Sequence, residues 1–484
     1  MVLLLCAPIT AAAQAPGADD GVGRCSAPSL AADHWAGTAL LRLHALGALD
    51  TYLPAQRAIP ACVAAEMLEA ASDHEVAGTL AADWLGRLRE EYPGLATERL
   101  LIGGRVEAGL EARDGAGAPG GGGLFPPERL GTLPLEDLAN PWIGGEVAFA
   151  ADRVALSAGG RLGASSSSLR SFEATVDFGA VAATLGRGSV GYGATTAGGI
   201  VLSQARLDRI QIETPRAVRL PSPLRNVGVW GFSTLLGRLN EERHPYDPYF
   251  WAATGSYQPH WRATLSVHRA AMIGGEGGEP ITIGSLLNTL VGRVVGGGAE
   301  NQVVSVEGRF HLPSERLLPL TAYVEWGADD TAGAWWDVPA RTLGLFAPSL
   351  PGASALAIGV ERTGFARTCC GNPMWYRHWA YPGGWAHGDR PLGHPLGGHG
   401  TEWLVYADGS HPGAGVGWDA RVFRRDRRDD NLFVPGRENR SVGAAAGARW
   451  RVTPGAEIFG ALSVERGDSW RERHLAIGGT IFYR

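Results

Sequence analysis

From Leu101 to the end of the chain, apolar residues recur at every second position in short runs, the period of a strand that shows its two faces to different surroundings. Phe172–Phe178, Val229–Leu236, Trp261–Val267, Val303–Phe310, Leu320–Trp326, Ala357–Val360, Trp403–Tyr406 and Ala456–Val464 follow this pattern, and clusters of Gly, Pro, Asn and Asp separate them. About 17 such runs can be counted, or about 18 with Leu207 to Thr214, and bacterial transmembrane barrels normally take an even number. About 380 residues spread over about 18 strands leave about 21 per strand and connection, which suits membrane-crossing strands joined by uneven loops.

The last run is the clearest. Leu475, Ile477, Gly479, Ile481 and Tyr483 share one face, and Arg484 overhangs the terminal aromatic. An alternating, aromatic-ended final strand is similar to the recognition signal of outer-membrane barrels. The soluble alternative is a large all-β protein such as a propeller, but a propeller repeats itself every 40–50 residues or so, and no such self-similarity is visible. Upstream the period changes to that of helices. Asp33 to Leu49, Ile59 to Ala71 and Val76 to Tyr92 read as three helices, the last carrying Leu80, Trp84 and Leu88 on one stripe and stopped by Pro93. A unit of this size is marginal for a core of its own, so it is expected to dock on the strand-rich remainder of the chain.

Composition narrows the picture. A chain of 484 residues with 70 Gly and only 19% charged residues is not that of an average enzyme. Hydrophobic content of 45% excludes wholesale disorder. After the first dozen residues nothing approaches the roughly 20 apolar residues of a membrane helix, so a polytopic helical membrane protein is excluded. The formal charge of −6 leaves no electrostatic footprint for nucleic acid. All 43 basic residues are Arg, the residue suited to bidentate contacts with carboxylate or phosphate.

Residues 1–15 combine an apolar run with Ala13-Gln14-Ala15 and read as a signal peptide without its basic start. Cleavage would remove Cys6 and leave Cys25, Cys62, Cys369 and Cys370, an even number in an oxidising compartment. Cys25 and Cys62 are candidates for a disulfide across the N-terminal segment, whereas the adjacent pair is weak evidence for a metal. The expected organisation is therefore signal peptide 1–15, periplasmic helical unit 26–95 and barrel 100–484.

Candidate chemistry is sparse. Gly186-Arg-Gly188-Ser-Val-Gly191 satisfies the dinucleotide-binding pattern, but the residues after Gly191 cannot start the helix on which a pyrophosphate would rest. His378, His387, His394 and His399, with Asp389 among them, match no closed metal site and read as a polar loop. Neither G-x-S-x-G nor H-E-x-x-H occurs, and Glu241-Glu242 and Asp329-Asp330 are explained by solvated loops. Aromatics mixed with planar polar groups are more informative: Trp335-Trp336-Asp337, Trp375-Tyr376-Arg377-His378-Trp379, Tyr381 and Trp385 combine flat apolar faces with hydrogen-bonding groups. That combination stacks on sugar rings, and it also builds the interfacial girdles of a membrane barrel.

Several segments in order resemble the Wzi family of capsule-assembly proteins. They are Leu185-Gly-Arg-Gly188 through Gly198-Gly-Ile-Val-Leu-Ser203, Gly231 to Leu239 with Glu241-Glu242-Arg243, Leu265-Ser-Val-His-Arg269 into Gly274-Gly-Glu-Gly277, and Trp375-Tyr-Arg-His378 through Leu392-Gly-His394. The resemblance spans about residues 100–420, and it departs where Val190-Gly191-Tyr192 replaces paired tryptophans. It implies an antiparallel barrel of about 18 strands with a periplasmic helical part, a surface lectin that attaches capsular or extracellular polysaccharide without covalent chemistry and without a cofactor. Trp375, Tyr376, Arg377, His378, Tyr381 and Trp385 are the candidate polysaccharide-binding residues. The expected partners besides polymer are outer-membrane lipid and the barrel-assembly machinery, with no nucleic acid, for a protein acting as a monomer. A porin or polymer-export channel is the alternative, and a polysaccharide-cleaving enzyme a third class for which no carboxylate pair stands out.

Overall fold

The computed structural model describes residues 27–483 apart from 93–94, 96–99, 116–138, 164–166, 220–226, 240–244, 283, 285–287, 290–299, 315–316, 330–337, 367–374, 388–389, 429–430 and 432–438. The expected signal peptide, Cys25, Cys369-Cys370, Trp335-Trp336-Asp337, Asp389 and Arg484 lie outside the described residues.

Eighteen antiparallel strands close into a barrel. They are β1 (Leu100–Asp114), β2 (Ala139–Ala151), β3 (Val154–Gly163), β4 (Ser167–Asp177), β5 (Ala182–Val190) and β6 (Ala205–Glu213). β7 (Val229–Arg238), β8 (Tyr249–His260), β9 (Ala263–Ile273), β10 (Asn301–His311), β11 (Thr321–Asp329) and β12 (Ala340–Ala347) continue the wall. β13 (Leu356–Phe365), β14 (Gly400–His411), β15 (Val416–Arg427), β16 (Asn439–Thr453), β17 (Ala456–Gly467) and β18 (Arg471–Tyr483) complete it. A two-residue strand, Val218–Arg219, pairs with the start of β7. Closure is direct: β18 runs antiparallel to β1 from Gly104↔Tyr483 to Asp114↔Arg473, which pairs the two edges an open sheet would expose.

The period-2 pattern sorts each strand's residues between two environments. Ile102, Val106 and Leu110 on β1 and Leu475, Ile477 and Ile481 on β18 are exposed, and Ile481 is 62% so. Exposed apolar side chains repeated around the whole barrel form a band that only lipid satisfies. Trp230, Trp418, Trp450 and Tyr483 stand on this outer face near one end, and Tyr249 and Trp403 near the other, as interfacial girdles do. Inward positions carry the opposite chemistry. Glu111, Arg161, Arg209, Glu325, Glu402 and Arg425 are buried inside, where charges find partners such as Arg161–Glu111 at 2.7 Å and Arg209–Glu173 at 2.7 Å.

Short turns mark one end of the barrel. Asp152-Arg153, Trp261-Arg262 and Pro454-Gly455 each join two strands, and Asp152 and Gly455 take the positive φ such turns need, 49° and 86°. The helices α1 (Trp35–Ala45), α2 (Ala61–Ala71) and α3 (Gly78–Glu91) cap this end, each slightly shorter than its periodicity suggests. The expected docking is extensive. The helical core, with Leu40, Leu43, Leu68 and Leu88 fully buried, continues into Leu101, Ala148 and Ala155 of the barrel wall. Arg42 donates to the carbonyls of Pro348 and Ser354, both at 2.7 Å, and Arg87 pairs with Glu457 at 2.7 Å. Within the cap, Glu91 accepts from Trp35 Nε1 at 2.6 Å and lies 2.8 Å from His34 Nε2. Burial alone would push its carboxyl up, but His34, then Arg87 and Arg105, hold it down at about 2. Cys62, buried in α2, takes part in a disulfide.

Candidate functional site

The loop between β5 and β6 turns inward instead of standing over the rim. The Gly186–Gly191 run sits at the end of β5 and leads into this loop, with strand and coil where a dinucleotide fold would need a helix. Gly191 is required by close approach, because a Cβ there would meet the Ser203 carbonyl oxygen at 2.5 Å. Inside the lumen a row of carboxylates seizes the loop backbone. Glu307 on β10 accepts from the Ala194 amide at 2.9 Å, Glu325 on β11 from Ile200 at 3.0 Å, and Glu361 on β13 from Ala197 at 2.8 Å. Arg309 donates to the Ala194 carbonyl at 2.7 Å. Charge-assisted bonds of this kind, made away from water, are each worth about 1.5–3 kcal/mol, so they fix the loop as a plug.

Two further segments grip the same loop from opposite sides. From the helical cap, the Ala55 carbonyl accepts from Gly193 N at 2.8 Å and Arg57 Nε donates to the Gly193 carbonyl at 2.6 Å. From the long-loop end, the segment after β13 supplies Tyr376, whose hydroxyl donates to the Ile200 carbonyl at 2.6 Å, and Trp385, whose Nε1 donates to Val201 at 2.9 Å. The lumen is thus occupied along its axis by cap, plug and lid in continuous contact.

The six aromatic and polar residues singled out from the sequence are gathered in this lid. Trp375, Tyr376 and Trp385 are each 0% exposed and pack with Phe365, Leu392 and Leu396 in one apolar cluster. Trp375 Nε1 donates to Val338, Tyr381 Oη to Gly274 and Arg377 to Asn431, so these groups tie the lid to neighbouring loops. His378 is buried and accepts from Ala380 N. Burial pushes the Tyr376 phenol well above its ordinary value. Tyr376 also has a φ of 68°, a strained conformation for a large side chain, which the surrounding bonds enforce. The histidines behave as loop frame: Trp375 N donates to His399, and Leu396 N to His394 Nδ1. Among the described residues no cluster of His, Cys, Asp and Glu is arranged to hold a metal.

The outer surface of the lid is carried by a neighbour. Trp379, on the turn closed by the His378↔Tyr381 bridge, is 68% exposed, with exposed Arg390 and half-buried His387 on the same lid. Sequence periodicity does not separate it from Trp375 and Trp385, since all three stand in one glycine- and proline-rich loop. The carboxylate row was equally unannounced, because Glu307, Glu325 and Glu361 read as ordinary members of the polar inward faces of their strands.

A family model described as "Capsule assembly protein Wzi" matches residues 144–474. Among solved structures, the chain is similar to Wzi of Escherichia coli, described as an outer membrane protein involved in group 1 capsule assembly and as a carbohydrate-binding β-barrel. The identity is 16%, over 94% of this chain and 99% of that one, with a TM-score of 0.75. It is also similar to OpdQ of Pseudomonas aeruginosa at 11% identity, over 80% of this chain and 98% of that one, with a TM-score of 0.50. No match was found among curated proteins.

Proposed function

Given that the chain belongs to the Wzi family of capsule assembly proteins, we propose that it is an outer-membrane lectin, holding capsular or extracellular polysaccharide at the cell surface through its lid, with the helical cap on the periplasmic side. The observation that carries this reading is the plug. A barrel whose lumen is filled by a loop clamped to Glu307, Glu325 and Glu361 is built to present a rigid face, not to pass solute. The family is not an enzyme family, and attachment requires no bond to be made or broken.

In this reading the six act as a frame, five of them buried and Arg377 half-buried, and Trp379 as the exposed platform. Trp375, Tyr376, Tyr381 and Trp385 fix the lid backbone, Arg377 and His378 anchor its edges, and Trp379 offers a flat face to a sugar ring. Many weak contacts along one polymer add through avidity, so low affinity per site is sufficient. The test is retention of polymer by intact cells. Trp379→Ala should lower it about tenfold at equal surface levels of the protein, the order expected for loss of one stacking contact. Unchanged retention after Trp379→Ala and after alanine replacement of all six frame residues would sink the lectin reading. Planar-bilayer conductance separates the porin alternative, which requires a steadily open pore.

A further inference from the structure

The plug fills the lumen unevenly. On its own side the inward residues are sealed, and Ala252, Ala270, Val303 and Ala357 are each 0% exposed. Across the barrel, inward-facing Gly109, Gly447, Phe459, Ala461 and Gly478 are only half-buried. Inward side chains keep such exposure only where nothing packs upon them, so a recess opens before these five positions of β16, β17, β18 and β1, while Glu111, Ala445, Glu465 and Ala476 on the same strands are covered.

Strand register arranges this wall in rows. In the first row Trp142, Gly109, Gly478 and Phe459 are directly opposite one another across β2, β1, β18 and β17. The two rings lean over the two glycines and stack, centroids 6.2 Å apart at 27°. A Cβ on Gly109 would lie 2.8 Å from Trp142 Cζ2, and one on Gly478 2.5 Å from Phe459 Cζ, so glycine is what allows the shelf to lie flat. Two residues further along, the second row holds the pair Ala461 and Ala476, and the third the pair Ser463 and His474. The strand rise places the first and third rows about 13 Å apart, with only methyl groups between them on β17 and β18.

The rims of this recess carry polar groups whose hydrogen bonds are unmade among the described residues. Ser463 is 1% exposed and its hydroxyl has no partner there, and His474 is 7% exposed with neither ring nitrogen bonded. Trp142, also 7% exposed, leaves Nε1 without a partner. Buried polar groups are almost always satisfied, and the exceptions around this aromatic shelf, Ser463, His474 and Trp142 beside the ion-paired Arg and Glu side chains, call for a ligand rich in hydroxyls. The nearby ions are already matched, Arg161 with Glu111 at 2.7 Å and Arg113 with Glu472 at 2.9 Å, so these cations are not spare for an acidic sugar. Arg161 stacks over the Trp142 ring at 3.3 Å, which leaves Phe459 as the open part of the shelf.

We infer that this lumenal recess is a second saccharide site, binding a neutral disaccharide with the apolar face of one ring on Phe459 beside Trp142 Nε1 and the hydroxyls of the other ring toward Ser463 and His474. It deepens the lectin reading and rests on it for the class of ligand. Titration of the detergent-solubilised full chain with maltose, cellobiose and lactose, followed by saturation-transfer NMR, tests it, with glucuronic acid as the charged comparison. At least one neutral disaccharide should bind in preference to glucuronic acid, and Phe459→Ala should weaken it about tenfold. Ala461→Phe, which fills the recess, should abolish binding, and the heat-modifiable gel shift verifies that both variants fold. No binding by the wild-type chain, or binding that survives both substitutions, would overturn the recess. Polymer retention by intact cells, read in parallel, keeps the readings apart. Retention without disaccharide binding overturns the recess alone, and disaccharide binding without retention overturns the surface role while supporting the recess.

Discussion

Single side chains in the lid hold its backbone in place from within. Tyr376 donates to Ile200 O and accepts from His394 N at 2.9 Å, so Tyr376→Phe leaves two buried backbone groups unpaired. A loss of about 1–3 kcal/mol in lid stability is expected, read as faster proteolysis of the lid in the folded protein. His394 carries a pH dependence. Burial, opposed by Glu402 and reinforced by Arg425, lowers its pKa from 6.5 to about 4. The folded imidazole therefore stays neutral where the unfolded one takes up a proton. Its contribution is complete above about 6.5 and declines as pH falls toward 4, by about 3 kcal/mol in all. Proteolytic protection of the lid at pH 7.5 and 4.5 should show this loss, and His394→Asn, which keeps an acceptor but no titration, should flatten it. The clustering of aromatic and polar residues at 375–385 was legible from composition of the loop. Which of them face water was not, because a loop has no period from which to read a side.

At the scale of elements, the β5–β6 loop joins every layer of the interior. Its backbone amides are bound by three strands, its carbonyls by the lid, and its first turn by the segment after α1. Glu325→Gln combined with Glu361→Gln keeps the shape of both acceptors but removes the charge that strengthens these bonds. The loop should then leave the lumen for part of the time, and single-channel recordings should change from a nearly closed trace to frequent open events of porin size. A trace unaltered by the double substitution would show that the cap and lid alone hold the plug. The helices were visible from their 3.6-residue period, and their marginal size implied docking. Their site of docking was not visible, since Arg42, Arg87 and His44 meet partners more than 260 residues away along the chain.

For the whole molecule, the outer band and the filled interior make opposite demands on substitution. Ile477 lies at the middle of β18 on the outer face and is 49% exposed. Ile477→Arg should cost about 2–4 kcal/mol in lipid, as a charge near the bilayer midplane does, measured by reversible denaturation from vesicles. The same charge is commonplace on the opposite face of the wall, where Arg161, Arg209 and Arg425 are buried in the lumen beside carboxylates.

Alternation, turn residues and an aromatic-ended last strand were sufficient to determine an outer-membrane barrel, because each strand must satisfy lipid on one face and the lumen on the other. That constraint is local and is written every two residues. The content of the lumen obeys no such rule. Glu307, Glu325 and Glu361 read alike as inward polar positions until the closed barrel brings them round a single loop, and the shelf of Trp142 and Phe459 exists only because β18 pairs with β1. Contacts between residues hundreds of positions apart are set by closure and register, so the plug, the lid's outward face and the open recess were decided by the tertiary structure.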